Sequence, residues 1–88
     1  MYSLEIKPEL DSKFKKLAKR NKKQFKIIID KVNGILENPH RFKNLRAPMN
    51  HLKRVHIDKY FVLIFSINEE SGTVTRVDYD HHDNIYRY

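Results

Sequence analysis

The chain has 88 residues, 40% of them hydrophobic and 33% charged, a net charge of +7 and no cysteine. That length suits one domain spanning residues 1–88, near the size at which a single core barely suffices. The missing thiols exclude disulfides and thiolate metal ligands as reinforcement. No apolar run approaches transmembrane length and the N-terminus lacks a signal-peptide core, so the expected location is cytoplasmic, with no membrane partner.

In chain order, Tyr2, Leu4 and Ile6 alternate with polar residues, the period of a half-buried strand. Pro8 suits the first position of a helix, where a missing N–H costs nothing. Leu10, Phe14 and Leu17 mark that helix's apolar face, and Asn21 breaks it. A second helix starts near residue 22, with Phe25, Ile28, Ile29, Val32, Ile35 and Leu36 as one apolar stripe. Asn38-Pro39 stops it, because proline disfavours the helical conformation of the residue before it. Residues 40–51 read as a polar, basic connection without periodicity. Strands are predicted at 52–58, 61–67 and 73–79, the last two joined by a hairpin turn over 68–72. The run 61–67 is apolar on both faces, apart from Ser66, as in a central strand. A short final strand through Ile85-Tyr86-Arg87 is a further option.

The order β-α-α-β-β-β implies an α+β layer: an N-terminal helical hairpin packed on one face of a small, mainly antiparallel sheet. Val55 and Ile57 then face the helices, and Arg54, His56 and Asp58 project from the other face. That face is expected to be open and cationic.

Charge is unevenly spread. Residues 1–59 hold 16 of the 18 Lys and Arg against six acids. A basic surface of this kind suits nucleic acid, an anionic membrane or an acidic protein. Metal-free cleavage of an RNA phosphodiester needs a base for the 2′-hydroxyl, an acid for the leaving 5′-oxygen and cations for the phosphorus-centred charge. Histidine takes either proton-transfer role near neutral pH. Arginine grips phosphoryl oxygens in pairs of hydrogen bonds. His56 between Arg54 and Asp58 fits such a centre, and an inconsequential surface histidine is the plain alternative. Lys43, Arg46 and Lys53 read as phosphate contacts or as a solvated loop. Tyr86 stacks on a base, supplies a phenol or packs at the sheet edge. His40 and His51 have weaker claims. His81, His82 and Asp83 also suggest a metal site, but successive strand residues point to opposite faces and no spaced third ligand is evident. The expectation is therefore no metal and no cofactor, with one histidine of the pair facing the active surface and the other solvent.

The succession Asn38-Pro39, Asn44-Leu45-Arg46, Leu52-Lys53-Arg54-Val55-His56-Ile57, Tyr60-Phe61-Val62-Leu63-Ile64-Phe65 and His82-Asp83-Asn84-Ile85-Tyr86 resembles the RelE/ParE toxin superfamily over essentially the whole chain. The resemblance implies the RelE microbial RNase fold and a toxin of a toxin–antitoxin pair, neutralised by a RelB-like antitoxin. For the RelE branch it implies an endoribonuclease that meets mRNA in the ribosomal A site, beside ribosomal RNA. It implies attack by the 2′-hydroxyl without metal. Two positions depart from the pattern. Phe61 stands where such toxins often have arginine, and Asp80-His81-His82 replaces Gly-His-Arg. These departures are similar to the histidine-using branch typified by the YafQ toxin. On that resemblance His56 and His82 take the proton transfers, Arg54 and Tyr86 complete the centre, and Lys43, Arg46, Lys53 and Arg76 bind RNA phosphates. Two other readings stay open: a ParE-like gyrase-binding toxin and a non-catalytic basic RNA-binding module.

Overall fold

A computed structural model describes residues 1–85, apart from the Arg76 side chain. The elements are β1 (Ser3–Leu4), α1 (Pro8–Arg20), α2 (Lys22–Glu37), a 3-10 turn (Pro39–Arg41), β2 (Lys53–His56), β3 (Phe61–Asn68), β4 (Thr73–His81) and α3 (His82–Ile85). Their order is the expected β-α-α-β-β-β with a short helix added at the end. The sheet runs β1-β4-β3-β2. β2, β3 and β4 are antiparallel, and β1 joins β4 in parallel. The fold is α+β, with the helices packed on a small mixed sheet.

The hairpin of helices follows from its punctuation. Pro8 opens α1. Asn21 closes α1 through its N–H to the Leu17 carbonyl and caps α2 through its side chain, which accepts from the Gln24 N–H at 3.0 Å. Leu10 and Phe14 of α1, with Ile28, Val32 and Ile35 of α2, are buried against Val55, Ile57, Leu63, Phe65, Val74, Val77 and Tyr79. Burying side chains of this size contributes roughly 1.5–3 kcal/mol each. One member of the predicted α2 stripe departs: Ile29 is 41% exposed. Gln24 is buried instead, donating to the Tyr79 hydroxyl at 3.0 Å. The N-terminal strand is shorter than its alternation suggests, and Leu4 lies exposed while Tyr2 and Ile6 pack on the core.

Cross-strand register assigns the two faces of the sheet. Val55 pairs with Leu63 on the helix side, whereas Arg54 pairs with Ile64 and His56 with Val62 on the other. On that second face Val62 and Ile64 lie opposite Asp80 and Asp78 of β4. The face is therefore not an open cationic plane. Its centre is apolar and is covered by a second small core of Leu45, Leu52, Val62, Ile64 and Ile85, with Met49 against it.

The segment after α2 supplies most of that cover. The Asn44–Lys53 bridge and the Leu45 N–H to Leu52 carbonyl bond of 2.9 Å pin its two ends together. Arg54 N–H also donates to the Lys43 carbonyl at 3.0 Å. These bonds occupy the outer edge of β2, which would otherwise expose unpaired backbone groups. The expected final strand is replaced at residues 82–85 by α3, whose Ile85 is buried. Residues Tyr86 and Arg87 of that expectation lie outside the described residues.

Candidate functional site

The edge cover and α3 together leave a cavity of about 500 Å³, lined by Asn44, Leu45, Arg46, Met49, Arg54 and Ile85, among others. Two arginines thus line one cavity together with the apolar side chains of Leu45, Met49 and Ile85. Arg46 comes from the start of the folded-back loop and Arg54 from the cleft face of β2, where strand parity projects it. An arginine pair of this kind presents donors matched to phosphate oxygens.

Lys53, one residue away, points the other way. It pairs with Phe65 on the helix side, and its ammonium donates to the Phe42 carbonyl and Asn44 Oδ1, both at 2.9 Å. The structure therefore brings Arg46 and Arg54 together and uses Lys53 to brace the loop. Lys43 is exposed and shares this edge through its carbonyl. Arg76 lies on β4. Tyr86 lies outside the described residues.

His56 ends β2 and is exposed. Across the sheet its partner is Val62, which in turn pairs with Asp80 of β4. His82 begins two residues later and donates its N–H to the Tyr60 carbonyl at 2.7 Å. His56 closes β2 and His82 follows directly on β4, so both lie at one end of the sheet, where β2 and β4 are two strand spacings, roughly 10 Å, apart.

Asp58 does not flank His56 as the strand reading expects, because β2 stops at His56. Its Oδ1 accepts the N–H groups of Tyr60 and Phe61 at 2.8 and 2.9 Å and so builds the β2–β3 turn. Burial tends to raise its carboxyl pKa, but those hydrogen bonds, one from Gln24 and the charge of His81 outweigh it, and the net direction is down. Asp80 is similar. Burial raises it, while Asn84, the His81 N–H, Lys13 and His81 lower it, with a net decrease.

The expected separation of His81 from His82 also fails. His81 is the last strand residue and His82 the first of α3, so the alternation of sides ends between them. Their rings lie 4.8 Å apart, and Asp83 reaches both, at 3.6 Å from His81 Nδ1 and 2.8 Å from His82 Nδ1. Tyr60 stacks on His81 at 5.9 Å. Phe61, at the position where arginine is expected, stacks on Tyr79 at 5.2 Å and meets His81 edge-on. It belongs to the helix-side core.

Sequence reasoning missed several of these residues. Asn44, Leu45 and Met49 shape the cleft, and the apolar pair Leu45 and Leu52 at the two ends of the loop was the available signal. Asp83 was noticed only as a metal candidate, and Tyr60 only as part of an apolar run.

No protein-family model matches the chain. It is 73% identical over 86 residues to an uncharacterized protein of Methanosarcina mazei, covering 98% of this chain and 100% of the relative. It is 56% identical over 87 residues to "Putative toxin RelE4" of Methanocaldococcus jannaschii, covering 99% of this chain and 93% of the relative. Among solved structures it is similar to the YoeB–YefM complex from Staphylococcus aureus, with a TM-score of 0.69 at 15% identity, covering 92% of this chain and 99% of that one. It is also similar to the solution structure of conserved hypothetical protein HP0892 from Helicobacter pylori, with a TM-score of 0.62 at 20% identity, covering 98% and 100%.

Proposed function

Because the chain belongs to the RelE family of toxins, we propose that it acts as a single-domain, ribosome-dependent mRNA endonuclease of a toxin–antitoxin pair. The observation that carries this reading is the cavity lined by both Arg46 and Arg54, with His56 and His82 outside its lining, at the end of β2 and the start of α3.

In this reading one imidazole removes the 2′-hydroxyl proton and the freed oxygen attacks phosphorus. The bond from phosphorus to the 5′-oxygen breaks, and the other imidazole supplies that oxygen's proton. The products are a cyclic phosphate and a 5′-hydroxyl end. Arg54 and Arg46 hold the phosphoryl oxygens as negative charge builds on them. Lys43 and Arg76 bind flanking phosphates and Tyr86 supports the reacting nucleotide. Of the neighbours Lys53 and Arg54, the cleft favours Arg54 for the phosphate role. The antitoxin is a RelB-like chain that covers the cationic surface; a YoeB–YefM complex on a similar scaffold supports a protein partner.

Expression in a host without the antitoxin tests the reading. Growth arrest with new mRNA ends phased to codons, mapped by primer extension, is the expected result. Arrest without new ends would replace the nuclease with a gyrase-directed or merely RNA-retaining toxin.

A further inference from the structure

The corner between β4 and α3 carries more than a proton-transfer group. His81, His82 and Asp83 each offer one donor atom, and these three atoms lie within 4.8 Å of one another. Asp83 has its two oxygens divided between the rings, Oδ2 toward His81 Nδ1 and Oδ1 toward His82 Nδ1. Tetrahedral zinc with bonds of 2.0–2.1 Å needs ligand atoms roughly 3.4 Å apart. Rotation of these side chains, with release of the 3.2 Å hydrogen bond that the Asp83 N–H donates to His81 Nδ1, turns the three ligands toward one point.

We propose that His81, His82 and Asp83 form a binding site for a borderline transition-metal cation of the Zn²⁺ or Ni²⁺ class, and that occupancy silences His82. Two imidazoles and one carboxylate match the ligand preferences of these ions and not those of Mg²⁺ or Ca²⁺, which demand oxygen ligands. The surroundings favour added positive charge. Asp58 on the β2–β3 turn and Asp80 on β4 both interact electrostatically with His81. Lys13 of α1, whose charge acts on Asp80, is itself engaged by Asp78 at 3.7 Å and by the Tyr79 carbonyl. A strand carrying both histidines would have held their rings apart; ending it between them is what assembles the site.

The silencing half rests on His82 being a proton-transfer residue, as proposed above. Coordination through Nδ1 fixes the neutral tautomer with hydrogen on Nε2. That nitrogen has no lone pair left to accept a proton, so the imidazole cannot serve as the base. As an acid it is weaker than the imidazolium it replaces.

Calorimetric titration of the untagged protein with ZnCl₂, without RNA, tests the site independently of any nuclease activity. The expected result is saturable binding of one equivalent, weakened at least tenfold in His81→Ala and in Asp83→Asn, with no heat from MgCl₂. Imidazole nitrogen NMR of the wild type should show zinc moving His81 and His82 and leaving His56 unchanged, which covers variants that fail to fold. Absent saturable binding, binding equal in both variants, or shifts at other histidines overturns the site. For the switch, one equivalent of zinc should slow wild-type cleavage at least tenfold and His81→Ala cleavage less than twofold, each against its own metal-free rate. Cleavage unaffected by bound zinc overturns the silencing. A wild type that never cleaves refutes the nuclease reading instead, and the titration still judges the site.

Discussion

Phe61 illustrates how one side chain's direction decides its role. Position 61 pairs with His81 and packs with the helix-side core, while the cleft arginines project from the other face. An arginine here would lose the stack on Tyr79 and carry charge into an apolar layer. Aromatic pairing of this kind contributes roughly 0.5–1.5 kcal/mol beyond the area buried. We expect Phe61→Arg to lower unfolding free energy by about 2 kcal/mol in urea titrations without raising cleavage. Unchanged stability with faster cleavage would mean that the site reaches this side of the sheet. Asp58 and Asp80 supply a second test. Their carboxyls titrate lower in the folded chain than in the unfolded one, so they stabilise the fold above the ordinary carboxylate range and lose that contribution as pH falls. Acid should therefore lower stability, and Asp58→Asn should flatten the curve below about pH 4. Identical curves for wild type and variant would exclude Asp58 from the effect.

At the level of elements, one residue separates the two long helices. Asn21 ends α1 and caps α2, so Asn21→Ala should cost about 1 kcal/mol, read as a lower midpoint in chemical denaturation. No change would mean that packing alone sets the break. Such punctuation made the helical hairpin readable in advance, as the period-two pattern made the faces of β2 readable: Val55 in, Arg54 and His56 out. The second core was not readable. Leu45, Met49 and Leu52 lie seven residues apart or fewer in a loop with no period, and the bridge from Asn44 to Lys53 with the Leu45–Leu52 and Arg54–Lys43 backbone bonds folds them over Val62 and Ile64. Lys53 was ambiguous for a related reason. Alternation assigns its side, but its partners Phe42 and Asn44 come from the loop. The histidine pair was misjudged because alternation holds only within a strand, and the junction of β4 with α3 falls between His81 and His82.

Over the whole molecule the sheet separates two tasks. Its helix side carries the main core, and its other side carries a small core at whose edge Arg46 and Arg54 line a cavity. Residues 1–59 hold 16 of the 18 Lys and Arg, and so basic a chain favours a polyanion over a neutral ligand. In the proposed reaction His56 and His82 transfer the protons. The most direct measurement is the cleavage rate on purified programmed ribosomes for wild type, His56→Ala and His82→Ala, each checked for an unchanged melting profile. Removing a general acid or base costs on the order of 10²–10⁴ in rate. Codon-phased cleavage by the wild type and a loss of that size in each variant are expected. Cleavage at the wild-type rate by both variants would contradict the proposed proton transfers.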